Sequence, residues 1–274
     1  MKHMKFNWKT IWRFAFNNYF ISIFIAIVAF VGFVSVFKLF FTKPTYVYAE
    51  VKVGQGLWWA STQKPSIWFV NAIKNAKVEK NLIGQPSAKI LGVRYYPYFD
   101  TGQYDVYVTV KIRVSGNKKT GEYSFNRSTI GVGSPIDLEF PSTQFSGTII
   151  ALSDKPLKEN YVEKTVYMTK KNAYPWEYNA IKIGDSYFDG KETVFQVIDK
   201  KSQDTSLISS DAYGNSNPNL TESQMYIVVK AKMRLKQENG QLIYGEDQNV
   251  TLGRNIGIAT SNFAYNNFVV SQIE

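Results

Sequence analysis

Cysteine is absent from the 274 residues and histidine occurs once, at His3. The first absence excludes disulfides, thiolate metal sites and cysteine nucleophiles. The second leaves no histidine for a Ser-His-Asp triad or a His-rich zinc site. Acidic residues are also missing from the start of the chain, since all 22 Asp and Glu follow Ala49. Of the 32 Lys and Arg, six precede Pro44: Lys2, Lys5, Lys9, Arg13, Lys38 and Lys43. From Pro44 onward the balance is therefore 26 minus 22, or +4, of the overall +10. The basic excess belongs to the amino-terminal segment, and no nucleic-acid partner is expected from it.

What is present is, first, a long apolar run. Residues 19–37 are uncharged and mainly apolar (YFISIFIAIVAFVGFVSVF), followed by Lys38, Leu39, Phe40 and Phe41. At 1.5 Å per residue, 19–41 gives roughly 34 Å of helix, against a hydrocarbon core of about 30 Å. This predicts a basic cytoplasmic tail over 1–13 and a transmembrane helix over 14–41. The four positive residues of the first thirteen place that end in the cytoplasm and the rest of the chain outside, periplasmic or extracellular, on the inner or cytoplasmic membrane. Trp8, Trp12 and Tyr19 suit the membrane interface. The competing reading is a signal peptide cut after Ala49. Against it, the apolar run exceeds the roughly 7 to 15 residues of a signal core, and Lys43 and Pro44 separate it from the cut.

The remainder reads mostly as strand. Residues 46–53 (YVYAEVKV), 105–114 (DVYVTVKIRV) and the second half of 225–235 alternate in period two, with β-branched and aromatic residues. Ser115-Gly116-Asn117, Thr120-Gly121, Asp189-Gly190 and Asn239-Gly240 are turn signals. One short helix is expected over 66–76. An internal repeat organises the strands: Trp68-Phe69-Val70-Asn71-Ala72-Ile73-Lys74 returns as Trp176-Glu177-Tyr178-Asn179-Ala180-Ile181-Lys182, with five of seven positions identical at an offset of 108. Tyr107, Lys111 and Gly121 match Tyr226, Lys230 and Gly240 at 119, and Val132-Gly133 matches Leu252-Gly253 at 120. The expected fold is mainly β: one amino-terminal transmembrane helix followed by two tandem small β-barrel-like domains, 46–153 and 161–274, the second repeating the first.

The second copy carries Asn179-Ala180-Ile181-Lys182-Ile183-Gly184-Asp185, Tyr187-Phe188-Asp189-Gly190, Val228-Val229-Lys230-Ala231-Lys232 and Val250-Thr251-Leu252-Gly253-Arg254. In these motifs residues 174–273 resemble the bacterial family called domain of unknown function 4330, and the first copy does so more loosely. The resemblance implies one amino-terminal helix and an extracytoplasmic small β-barrel. It implies no catalytic residue.

Trp68, Asn71, Trp176 and Asn179 admit two readings, as a pair of ligand sites or as barrel-core fillers, and the core is the expectation. Gly133 and Gly253 are expected in turns of positive φ rather than in a phosphate cradle. Asp185 with Asp189, or Asp137 with Glu139, could pair as carboxylates, but acids in turns and on strand exteriors are normally solvated. No catalytic, cofactor or metal-ligating set emerges. The clusters Trp58-Trp59 and Tyr95-Tyr96-Pro97-Tyr98 are the candidate partner or ligand surface, a local aromatic ladder being the alternative. The functional expectation is a non-enzymatic, single-pass envelope protein that organises other envelope proteins, or copies of itself. The alternative is a lipid-binding or lipid-transfer module forming homo-oligomeric rings.

Overall fold

The computed structural model describes residues 17–41, 44–54, 64–81, 84–98, 102–117, 121–205 and 224–274. The expected tail over 1–13, Trp58, Trp59 and most of the long loop before residue 224 lie outside these. The chain divides into one unit ending at Pro44 and a second, compact unit from Thr45 to Glu274.

The first unit holds helix α1 (Tyr19–Phe41), whose large apolar side chains, from Phe20 to Phe37, are exposed around its circumference. Among the described residues no helix is long and apolar enough to cross a membrane. The expectation over 14–41 therefore stands as a helix Tyr19–Phe41, not as a demonstrated crossing.

The second unit contains two curled antiparallel sheets of eight strands each. The first comprises β1 (Thr45–Val53), β2 (Val78–Lys80), β3 (Pro86–Tyr98), β4 (Gln103–Asn117), β5 (Glu122–Phe125), β6 (Ser128–Ile130), β7 (Pro135–Phe140) and β8 (Thr143–Ser153), with helix α2 (Ile67–Asn75) between β1 and β2. The second comprises β9 (Tyr161–Ala173), β10 (Ser186–Phe188), β11 (Thr193–Asp204), β12 (Met225–Glu238), β13 (Gln241–Tyr244), β14 (Gln248–Asn249), β15 (Asn255–Ile256) and β16 (Phe268–Ile273), with helix α3 (Pro175–Ala180) after β9. The strand order is β2-β3-β4-β1-β8-β7 in one and β10-β11-β12-β9-β16-β15 in the other, so every strand has a counterpart in the same place.

Alternation builds both cores. Val47, Ala49, Val51 and Val53 of β1 face Val106, Val108, Val110, Ile112 and Val114 of β4 across one interior. Ile227, Val229, Ala231, Met233 and Leu235 of β12 do the same in the second. Both repeats carry a β-bulge at the same point, with Leu91 in β3 and Ile198 in β11 as the extra residue. The bulges align Val110 with Ala231, an offset of 231 minus 110, or 121, rather than the 119 of the Tyr107 and Lys111 match. The second β4–β5-type hairpin is shorter, and that shifts the offset. The expected turn at Ser115-Gly116-Asn117 is instead the end of β4, paired with β5. Only glycine fits there: a Cβ on Gly116 would lie 2.1 Å from the Glu122 carbonyl oxygen.

A buried acid bridges the open side of each sheet. In the first, Glu79 of β2 accepts a hydrogen bond from the Glu139 backbone N–H of β7 at 3.3 Å. In the second, Asp185, just before β10, accepts from Asn262 Nδ2 at 2.9 Å and from the Thr260 hydroxyl, both on the segment after β15. Joining the two ends of the strand path in this way covers edges that would otherwise stay unpaired.

The repeated helix turns sit on these cores through Ile73 and Ile181, both fully buried. Ile181→Ala should lower unfolding stability by about 2–5 kcal/mol, the usual cost of a cavity at a sealed aliphatic site. A guanidinium midpoint shift corresponding to less than 1 kcal/mol would show that α3 is not part of the core.

Candidate functional site

The outer face of the first sheet meets the lower end of the second, and the contact is built around one cation. Arg94, on β3 between buried Val93 and half-buried Tyr95, is almost fully buried. Its Nη2 lies 2.6 Å from Glu159, its Nη1 3.2 Å from Glu246 and its Nε 3.5 Å from Asp189. Nη1 also donates to the Tyr161 hydroxyl, and the guanidinium stands 4.7 Å from the centre of that ring. Tyr161 in turn donates to Glu246, whose other oxygen is 3.1 Å from Lys236 Nζ. The Glu246 side chain is 1% exposed, so its charge is satisfied within this network.

Burial alone would make Arg94 less basic. Tyr161, Glu159 and Glu246 outweigh it, and the guanidinium pKa is raised. Asp189 goes the other way: burial raises its pKa despite hydrogen bonds from backbone N–H groups and the charge of Arg94. Glu159 is lowered, since Lys191 at 2.7 Å and Arg94 overcome its partial burial.

The aromatic residues seal the same joint. The Tyr95 N–H donates to the Asp189 carbonyl at 2.9 Å, and the Tyr187 hydroxyl donates to the Tyr95 carbonyl at 2.7 Å. Tyr96 is 4% exposed, packs into the second core against Tyr107, Tyr187 and Tyr244, and donates to Asp189 Oδ2 at 3.1 Å. Gly190 lets the chains approach: a Cβ there would meet Tyr95 Cε1 at 2.6 Å and the Val93 carbonyl oxygen at 2.7 Å.

These placements correct several expectations. Of the candidate surface, Tyr96 is interior because its face of β3 is covered by the second repeat, and Tyr95, on the opposite face, is half-buried against the first core while its backbone contacts the β10–β11 turn. Tyr98 is exposed, with Lys64 Nζ 3.4 Å above its ring. Trp58 and Trp59 lie outside the described residues. Asp185 and Asp189 are buried, not solvated, because each accepts hydrogen bonds that a free turn would leave to water. Trp68 and Trp176, expected in the cores, are 71% and 63% exposed, and Asn71 and Asn179 are exposed beside them. The short helices turn Val70 and Ile73, or Glu177 and Ile181, inward, and the tryptophans of the first turn point away. Gly133 and Gly253 do adopt positive φ, 88° and 80°.

Exposure repeats along with sequence. Trp68 and Trp176 are exposed, and so are the bulge residues Leu91 and Ile198 and the turn residues Val132 and Leu252. The counterparts of Tyr95 and Tyr96 in β11, counted from the bulges, are Ser202 and Gln203, both polar and exposed. The face that receives the second repeat in the first is therefore not available for a third.

Among the described residues no group of three His, Asp or Glu is arranged to hold a metal ion. No protein-family profile, curated protein or solved structure matches the chain. Of the residues that build the joint, Arg94 had one sequence signal, a charge placed on a strand beside Val93, while Glu246, in the turn after β13, had none. Arg94→Leu leaves Asp189 buried without its cation and Glu246 with Lys236 alone, and should cost about 3–5 kcal/mol in chemical unfolding. A loss under 1 kcal/mol would mean that the ionic joint is incidental.

Proposed function

We propose that the chain is a membrane-anchored, non-enzymatic envelope protein whose two β repeats form one arm that docks other envelope proteins or further copies of itself. Helix α1 is the anchor. It spans 23 residues, about 34 Å, and its described large side chains are apolar on every side. A helix without a polar face belongs in a protein core or in lipid. The basic residues before it and the lack of acids favour a cytoplasmic amino terminus on the inner or cytoplasmic membrane, with the repeats outside. The resemblance of residues 174–273 to the domain of unknown function 4330 family supports the same layout.

The observation that carries the docking reading is the repeated exposure of Trp68, Leu91 and Val132 in one repeat and Trp176, Ile198 and Leu252 in the other. A single exposed aliphatic residue is ordinary. The same three positions left bare twice, one of them an indole both times, mark a surface kept for contact, since tryptophan at a desolvated interface contributes about 2 kcal/mol or more. Confinement to a membrane surface raises the effective concentration of such contacts, so two modest sites engaged together bind well beyond either alone.

The test is in-cell crosslinking and purification of the full-length protein in mild detergent, beside the double variant Trp68→Ala with Trp176→Ala. Recovery of defined envelope proteins with the wild type should fall at least tenfold in the variant. The thermal midpoint should stay within a few degrees, because exposed positions contribute little to stability. Undiminished recovery would overturn the docking reading. So would a ring of identical subunits carrying stoichiometric lipid, which would make the same residues the lining of an apolar passage.

A further inference from the structure

The repeats contain several buried acids, and all but one are accounted for. Glu79 and Asp185 bridge the sheets. Glu177 accepts from the Tyr174 N–H at 2.9 Å and from Lys170. Asp189 accepts from the Lys191 and Glu192 N–H groups at 2.7 and 2.8 Å. Glu246 takes Arg94, Tyr161 and Lys236. The exception is Glu50. It is 8% exposed, and among the described residues its carboxylate accepts no hydrogen bond and forms no ion pair.

Glu50 lies on the outer side of β1, paired with Thr109 of β4 and Ala151 of β8. These three residues line an open cavity of about 290 Å³ at the joint, bordered by the linker segment 157–160 and the end of β12. By volume it holds roughly ten waters, or one small organic molecule. Its charged lining is Glu50, Glu159, Glu238 and Glu246 against Arg94, Lys158 and Lys236, an excess of one negative charge. Arg94 and Lys236 are committed to other carboxylates, so neither neutralises Glu50 by contact. A carboxylate that is mostly removed from bulk water and has no direct partner favours any group that supplies positive charge or a proton.

We infer that this cavity binds a small organic ammonium ion, with Glu50 as its counter-charge. The acceptors of Glu50, the Thr109 hydroxyl and the Asn160 side-chain oxygen, whose amide nitrogen is occupied by the Gln237 carbonyl at 3.2 Å, match the donors of a primary ammonium. Ala151 and Leu157 give an apolar wall for a short carbon chain. A metal ion is a poorer fit, since hard divalent cations need six or more oxygen ligands and Glu50 is the one uncommitted carboxylate on the floor. The inference does not depend on the docking reading.

The pH behaviour follows from burial, which is the largest cause of a raised Glu50 pKa, with Glu246 adding to it and Lys236 and Arg94 opposing. The folded chain then holds the Glu50 proton more tightly than the unfolded chain. Stability from this group falls as pH rises from the ordinary carboxylate range through the raised value, and stays low above it. An ammonium ion binds the ionised form, so its affinity should rise over the same window. Glu159, Glu238, Lys158 and Tyr161 face the same space and would shape the curve.

The test uses equilibrium dialysis of the full-length protein in detergent with radiolabelled ethanolammonium, against ethylene glycol as the uncharged control and potassium chloride at matched ionic strength. One saturable site per chain is expected, tightening from pH 5 to 8 and unaffected by the glycol. Glu50→Gln should weaken it at least tenfold while leaving the fold intact and removing the part of the decline of stability with pH that Glu50 contributes. Ala151→Leu, which fills the floor but keeps the carboxylate, should abolish binding independently. Absence of a saturable site in the wild type, equal binding of the glycol, or undiminished binding by Glu50→Gln would overturn the inference.

Discussion

A guanidinium removed from water between two β repeats is the constraint on which the rest of this molecule depends. Arg94 can be buried only because Glu159, Asp189 and Glu246 converge on it from the linker, the β10–β11 turn and the turn after β13. Those three acids come from three separate parts of the chain. The joint therefore fixes the linker path, sets the Asp189-Gly190 turn against β3, and turns Tyr96 into a residue of its neighbour's core. A buried ion network of this kind is weak as a source of net stability but strong as a specifier of geometry, because any other arrangement strands a charge. Its proposed role here is to hold two recognition surfaces at one spacing.

Duplication explains how the arm is finite. The two sheets share a strand order and a bulge, and each uses a buried acid across its open side. What differs is the stretch that follows the bulge: Arg94, Tyr95 and Tyr96 in the first repeat, Lys201, Ser202 and Gln203 in the second. The first set is a socket and the second is a solvated cap, so stacking stops after one step. The same divergence leaves Glu50 enclosed in the first repeat. Its register equivalent in the second, counted through the bulge opposite the last strand, is Tyr167, where no further repeat closes over it.

Much of the fold was legible because period-two alternation reports directly which residues share a face. Residues 46–53 and 105–114 fall within β1 and β4, and the helix expected over 66–76 is α2. The second helix, α3, was implied by the repeat but hidden by its length of six residues. Alternation does not say what covers the outward face, and that is where the reading of sites failed. Tyr96, Arg94 and Glu50 occupy outward positions that look solvated until a second repeat is laid over them. The tryptophans failed for a different reason: repetition shows that a position is equivalent in both copies, not whether it points in or out. Each short helix has one inward stripe, filled by Ile73 or Ile181, and the first-turn indole falls outside it.

The claim that the two repeats form one body is tested most directly by scanning calorimetry of the full-length protein in detergent. The account predicts a single transition for the β region, with calorimetric and van't Hoff enthalpies equal, because unfolding of either repeat strands the buried charges of the Arg94 network. Two separable transitions, one of them indifferent to loss of the Arg94 network, would contradict it and leave two independent barrels on a flexible tether.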